Sequence, residues 1–120
     1  TTATGSEEAR APIAPSVCVI EEATDDSSLT VKWQDNSSDE NGFDIDRSVN
    51  GAAWADLTTK VANSTSHQDS TISQGNIYQY RVASYYTGPI LSTWCYSPVL
   101  SIQSATFQFQ GLQLEGLLLN

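Results

Sequence analysis

His67 is the only histidine in the 120 residues, so any relay of the serine, histidine and aspartate kind has to run through it. Asp69 stands two positions further on, with several serines close by. A spacing of two on a strand brings side chains to one face as structural neighbours. The pair therefore reads as packing or surface before it reads as catalysis, and the chain is expected not to be an enzyme. A second constellation is rich in oxygen. Asp35, Ser37, Asp39 and Asn41 alternate through DNSSDENG at the spacing of a calcium loop. Calcium needs six or more oxygens and a closing bidentate carboxylate, and the nearest substitute, Asp46, falls in a strand-like run. The same string serves equally well as a set of turn formers. No metal and no cofactor are expected.

Two further sets concern sugars. Asn36-Ser37-Ser38 and Asn63-Ser64-Thr65 are sequons, which makes Asn36 and Asn63 candidate glycosylation acceptors. Trp54, Tyr85, Tyr86, Trp94 and Tyr96 are planar rings that could stack on pyranose faces. Alternate residues of a strand point to opposite faces, however, so core and edge positions of a sheet account for them at least as well. Cys18 and Cys95 are the whole thiol inventory, and their separation excludes the C-x-x-C spacing of zinc and redox motifs. In a secreted chain the default is a disulfide between the first and last strands. The alternative is a pair of buried free thiols.

The elements that must position these residues are strands. Short runs recur at 16–20, 29–33, 42–48, 53–57, 64–72, 77–86 and 94–103, separated by Gly, Asn, Asp, Ser and Pro. Seven such runs predict an all-β, two-sheet sandwich. Asn50-Gly51 is a hairpin turn signal, because both residues tolerate positive φ. No amphipathic helix is expected. The net charge of -9, with five Lys and Arg, argues against a nucleic-acid partner. No stretch is long enough for a membrane span. The chain has no methionine, which suggests a processed product, and a removed signal peptide with an extracellular or cell-surface location is the expectation.

From about residue 11 to residue 103 the chain resembles a fibronectin type III domain of the bacterial, secreted kind. The resemblance rests on Ala14-Pro15 before the first strand, LTVKWQDNSSDENGFDIDRSVNG from Leu29 to Gly51, NIYQYRVASY from Asn76 to Tyr85, and YSPVLSI from Tyr96 to Ile102. It implies a seven-stranded immunoglobulin-like sandwich, with Trp33 in the core between the sheets. It also implies that Tyr78 makes the tyrosine corner, its hydroxyl bonded back to the backbone. The family has an aromatic residue at the position of His67, which favours the packing reading. It has an aliphatic residue at Cys18 and a small one at Cys95, so the cysteine pair looks like an addition. The fold does not fix a function, since it serves as spacer, adhesin and ligand binder alike.

The expected organisation is an N-terminal extension over residues 1–11, the sandwich over 12–104 and a C-terminal strand extension over 105–120. In the extension, Phe107, Phe109, Leu112, Leu114, Leu117 and Leu119 alternate with polar residues. Gly111 and Gly116 each shift the phase by one, where a bulge would keep all six on one face. A complete sandwich does not need this strand. Burial alone does not offset the backbone entropy of ordering it, so hydrogen bonds along a sheet edge are required. These six residues are expected to form a subunit interface, by strand addition onto neighbouring copies. Such a head-to-tail contact does not close and generates a homo-oligomeric filament, in which the N-terminal extension is a second candidate contact. The function expected is that of an extracellular filament or pilus-like subunit. The alternative is an adhesin or a carbohydrate-binding accessory domain, with glycans as partners.

Overall fold

Leu29, Val31 and Trp33 alternate with Thr30, Lys32 and Gln34, and this period of two becomes β2 (Leu29–Gln34), with the first set buried. In the computed structural model, which describes residues 10–102, β2 pairs antiparallel with β1 (Ser16–Glu22) and with β5 (Ser66–Asp69). A second sheet packs across from it. There β3 (Gly42–Val49) lies between β4 (Ala55–Val61) and β6 (Ile77–Tyr86). Three two-residue strands, β7 (Ile90–Leu91), β8 (Cys95–Tyr96) and β9 (Leu100–Ser101), pair in turn with the other side of β6. Among the described residues, no helix is long and apolar enough to cross a membrane. Phe107, Phe109, Leu112, Leu114, Leu117 and Leu119 lie outside the described residues.

The core sits between the sheets. Cys18, Leu29, Val31, Trp33, Phe43, Ile45, Tyr78, Tyr80, Val82 and Ile102 form one buried cluster. Trp33 is 4 % exposed and tilts against Phe43, with ring centroids 5.4 Å apart. The Tyr78 hydroxyl accepts from the Ser73 backbone N–H at 2.8 Å and from Asn76 Nδ2 at 3.2 Å, which ties the start of β6 to the loop before it. Cys18 on β1 and Cys95 on β8 are joined in a disulfide that crosses from one sheet to the other, with their Cα atoms 6.1 Å apart.

The first strand runs two residues longer than the sequence reading, the fifth is shortened to 66–69 and β7 was not expected, and two further differences have a plain local cause. The fourth strand runs 55–61 rather than 53–57, because the turn at Asn50 (φ 56°) and Gly51 (φ 75°) is followed by further loop residues. There the Ala52 N–H donates to Val49 and the Ala52 carbonyl accepts from Ser48 Oγ at 2.7 Å. The last run, expected to be continuous over 94–103, is split into β8 and β9. Pro98 has no N–H to give the ladder, and the Tyr80 N–H bonds instead to Ser97 Oγ at 2.9 Å. Ser92 does the same one step earlier, accepting from the Ser84 N–H at 3.0 Å. Two buried serine hydroxyls thus satisfy backbone donors that a regular strand would have paired with carbonyls.

Candidate functional site

The outer face of the β4-β3-β6 sheet gathers charged and aromatic side chains from all three strands. Asp44 and Asp46 alternate with the buried Phe43 and Ile45 on β3, so they point outward. Asp56 joins them through a bulge. Ile45 is opposite Thr58 while Asp46 is opposite Asp56, which leaves Leu57 as the extra residue of β4. The bulge turns Leu57 toward the core, where it packs against the buried cluster, and leaves Asp56 exposed beside the other two acids. Regular pairing would have set Leu57, not Asp56, opposite Asp46. The carboxylate oxygens of Asp44, Asp46 and Asp56 lie within 4.8 Å of one another.

Arg81, opposite Asp46 in the β3–β6 register, answers part of this charge. Its Nε and a terminal nitrogen both reach Asp46 Oδ2, at 2.9 and 2.8 Å. The guanidinium is held between two indoles, 4.8 Å from the Trp54 ring centre and 4.1 Å from that of Trp94. Tyr96, opposite Arg81 on β8, packs against Trp54 with centroids 5.7 Å apart. At the other end of the face the Tyr85 ring lies over Gly42. A Cβ there would sit 2.7 Å from the Tyr85 hydroxyl and 2.5 Å from the Lys60 carbonyl, so a glycine is required. Asp44, Asp46, Asp56, Thr59, Tyr85, Pro89 and Leu91 line an open recess of about 370 Å³.

Burial, reinforced by the charges of Asp46 and Asp56, pushes the Asp44 carboxyl up to about 6. Its Oδ1 is enclosed without a hydrogen-bond partner among the described residues. The recess can therefore take up a proton near pH 6 and accept hydrogen bonds. Among the described residues, these three aspartates are the group spaced to share a metal ion, and Arg81 already neutralises one of them. A carboxyl raised in the folded state favours folding in its protonated form. Stability therefore falls as pH rises from about 4 to about 6 and stays at its lower value above that. Asp44→Asn removes the charge, so at pH 7.5 the variant should be more stable by about 1 kcal/mol once solvent screening is discounted. Thermal melts at pH 7.5 and pH 4 check this, because the two proteins should nearly coincide at pH 4. An equal gap at both pH values contradicts the assignment.

The structure scatters the other sequence candidates. His67 and Asp69 share β5, but Asp69 is committed elsewhere, and no hydrogen bond joins the two. Burial and the Lys60 charge hold the His67 imidazole below its usual range. The oxygens of the 35–41 loop are taken up by bonds within the loop and to the end of β6. Asp35 Oδ1 accepts from the Ser37 N–H at 3.0 Å, Asp39 accepts from the Tyr86 hydroxyl at 3.0 Å, and Asn41 Oδ1 accepts from the Thr87 N–H at 2.7 Å. Arg10 stacks on the Tyr86 ring and pairs with Asp39 at 3.3 Å. Of the five aromatics, Trp54, Trp94 and Tyr96 come together around Arg81, while Tyr85 and Tyr86 lie apart from that stack. Asn36 Nδ2, the atom a glycan would take, donates to the Ala14 carbonyl at 3.1 Å and Ser16 Oγ at 2.9 Å. Asn63 is exposed in a turn with φ 68°, and no hydrogen bond from its side chain is formed among the described residues.

Sequence reasoning missed one network. Asp69 on β5, 2 % exposed, accepts from Arg47 of β3 at 2.7 Å and from the Tyr80 hydroxyl of β6 at 2.7 Å. Thr71 adds its N–H at 3.0 Å and its hydroxyl at 2.6 Å. Burial pushes the Asp69 carboxyl up, but the hydrogen bonds from Thr71, Tyr80 and Arg47 outweigh it and hold the group below the usual aspartate range. The signal available was phase, since Arg47 stands on the inward alternation of GFDIDRSV, where a cation needs a buried acid.

No family model matches the chain, and no curated protein matches it. Solved structures do. A Fn3-like protein from Clostridium thermocellum superposes with a TM-score of 0.58 and 20 % identity, over 74 % of this chain and 94 % of that one. A fragment of titin superposes with a TM-score of 0.63 and 16 % identity, over 78 % of this chain and 32 % of that one. The structure of FN3tt mut does so with a TM-score of 0.65 and 9 % identity, over 79 % of this chain and all 100 % of that one. At such identities the likeness is one of fold, and it agrees with the β1-β2-β5 and β4-β3-β6 sheets: the chain has the fibronectin type III fold.

Proposed function

We propose that this chain is a structural subunit of an extracellular filament, polymerising by strand addition of residues 107–119 onto a neighbouring copy. One observation carries the reading. Ile102, 1 % exposed, already sits in the core cluster, so the sandwich closes its interior before the alternating apolar segment begins. On this reading the segment, which lies outside the described residues, adds to a sheet edge. The inter-sheet disulfide suits an oxidising, extracellular setting. Deleting residues 107–120 should leave a folded monomer with unchanged melting behaviour and no polymers by sedimentation or negative-stain microscopy. Filaments formed by the truncated protein would sink the proposal.

A second reading, a carbohydrate-binding or adhesive module, is favoured by the grouping of Trp54, Trp94 and Tyr96 on one sheet face. Its weakness lies in the same geometry, because Arg81 takes an indole face on either side. Glycan-array binding by a protein that remains monomeric would favour this reading.

A further inference from the structure

One oxygen next to the 35–41 turn bonds is left without a donor. Glu40, two residues before β3 begins, is 4 % exposed, and its Oε1 is enclosed with no hydrogen-bond partner among the described residues. Its other oxygen is in use, since the Asn63 N–H donates to Oε2 at 2.7 Å. An acceptor buried without a donor is costly, and more so when it carries charge. Something positive belongs beside it.

The group beside it is Asp35, the first residue after β2. Its carboxyl lies within hydrogen-bonding reach of Glu40, and its Oδ1 accepts from the Ser37 N–H at 3.0 Å. Each acid thus gives one oxygen to a backbone N–H, which leaves the second for its neighbour. Burial is the first cause that pushes the Asp35 carboxyl up, and the Glu40 charge adds to it against the Ser37 N–H. The cations of the neighbouring segments are engaged elsewhere. Arg10 pairs with Asp39 at 3.3 Å, Lys32 of β2 pairs with Glu21 at 3.0 Å, and the Lys60 charge of β4 bears on His67. On β6, the Tyr86 hydroxyl gives its proton to Asp39.

A proton fits this gap and a metal ion does not. Calcium takes six to eight oxygens and magnesium keeps several waters. Glu40 Oε1 has essentially no surface left for either. A shared proton needs only one oxygen from each acid.

We propose that Asp35 and Glu40 share one proton, and that this carboxyl–carboxylate bond is an acid-closed latch between the 35–41 loop and the Asn63 turn after β4. At both segments the chain crosses between the sheets, from β2 to β3 and from β4 to β5. Asp35 donates to Glu40 Oε1, and Glu40 Oε2 holds the Asn63 N–H. Loss of the proton sets two carboxylates against each other. A carboxyl raised in the folded state adds stability below its unfolded pKa of about 3.9, and that stability is lost as pH rises through the folded value.

Asp35→Asn tests the latch, because the amide can donate to Glu40 at every pH while its oxygen still accepts from Ser37. The variant should melt a few degrees above the parent at pH 7, and the two should nearly coincide at pH 4. Glu40→Gln should act likewise, its amide donating to Asp35 and its oxygen accepting from Asn63. The double variant should lose the gain, since one buried amide N–H is then unpaired. In the full-length protein, carboxyl-carbon NMR should show Asp35 and Glu40 titrating together in two steps. Protection of the Asn63 N–H from exchange should fall between pH 4 and pH 7 in the parent and hold in Asp35→Asn. No gain from Asp35→Asn at pH 7, additive gains in the double variant, or independent single-step titrations would each overturn the proposal. So would a rise in the parent's melting temperature on adding calcium or magnesium at pH 7 that Asp35→Asn does not show, because a cation would then hold the pair.

Discussion

Asp69→Ala should lower the free energy of unfolding by roughly 3–5 kcal/mol, the range for stripping one partner from a buried ion pair. Three side chains lose their partner at once. Arg47, 23 % exposed, is left with Thr71 Oγ1 at 2.8 Å, and the Tyr80 hydroxyl is left enclosed in the core. Thr71 loses the acceptor of both its N–H and its hydroxyl. Tyr80→Phe removes one bond of the same set and should cost only about 1–2 kcal/mol. Chemical denaturation of the three proteins at pH 7 measures both steps. A loss below about 1 kcal/mol for Asp69→Ala would mean that Arg47 finds water as easily as it finds the acid. The pH dependence has a definite sign. A carboxyl held low in the folded state adds stability above its unfolded pKa, and that stability is lost as pH falls through the folded value. The Asp69→Ala deficit should therefore shrink in acid. Asp44 acts in the opposite sense between about pH 4 and 6.

Replacing both Cys18 and Cys95 by alanine should cost about 4 kcal/mol, the chain-entropy value for a bond closing 77 residues. For a domain of this size that corresponds to a fall in melting temperature of roughly 15–30 °C. Melts of the parent protein with and without reductant give the same comparison without any substitution. A change of only a few degrees would show that the core and the Asp69 network hold the sheets together without help. The two predictions are separable in principle, because Asp69 ties β5 to β3 and β6 while the disulfide ties β1 to β8. Sites with no shared partners are expected to add.

Strand phase was legible from the sequence because burial imposes it locally. Leu29, Val31 and Trp33 alternate in the chain as they do in β2, and the place of Trp33 in the core followed from the resemblance. Register was not legible, because it depends on which residues of distant strands meet. The Leu57 bulge, and with it the meeting of Asp44, Asp46 and Asp56, has no mark in AWADLTTKV. Arg81 between Trp54 and Trp94 joins residues from two loops and a strand. Conversely, Asp35, Ser37, Asp39 and Asn41 had a ligand-like spacing because turns also favour short polar side chains, and those oxygens accept bonds from Ser37, Tyr86 and Thr87. The split of the last strand followed from Ser92 and Ser97, whose hydroxyls can imitate a carbonyl in a way that no propensity records.

The disulfide also changes how the molecule can be stretched. Cys18 and Cys95 make the chain between them a covalent ring, with two short arms leading out of it toward the ends. Tension applied at the ends passes from one arm to the other through the sulfur bridge. The 77-residue loop carries none of it along the backbone, and about 260 Å of extended length is out of reach while the bridge is intact. Only the arms can yield, which makes the domain a stiff link under oxidising conditions and an extensible one after reduction.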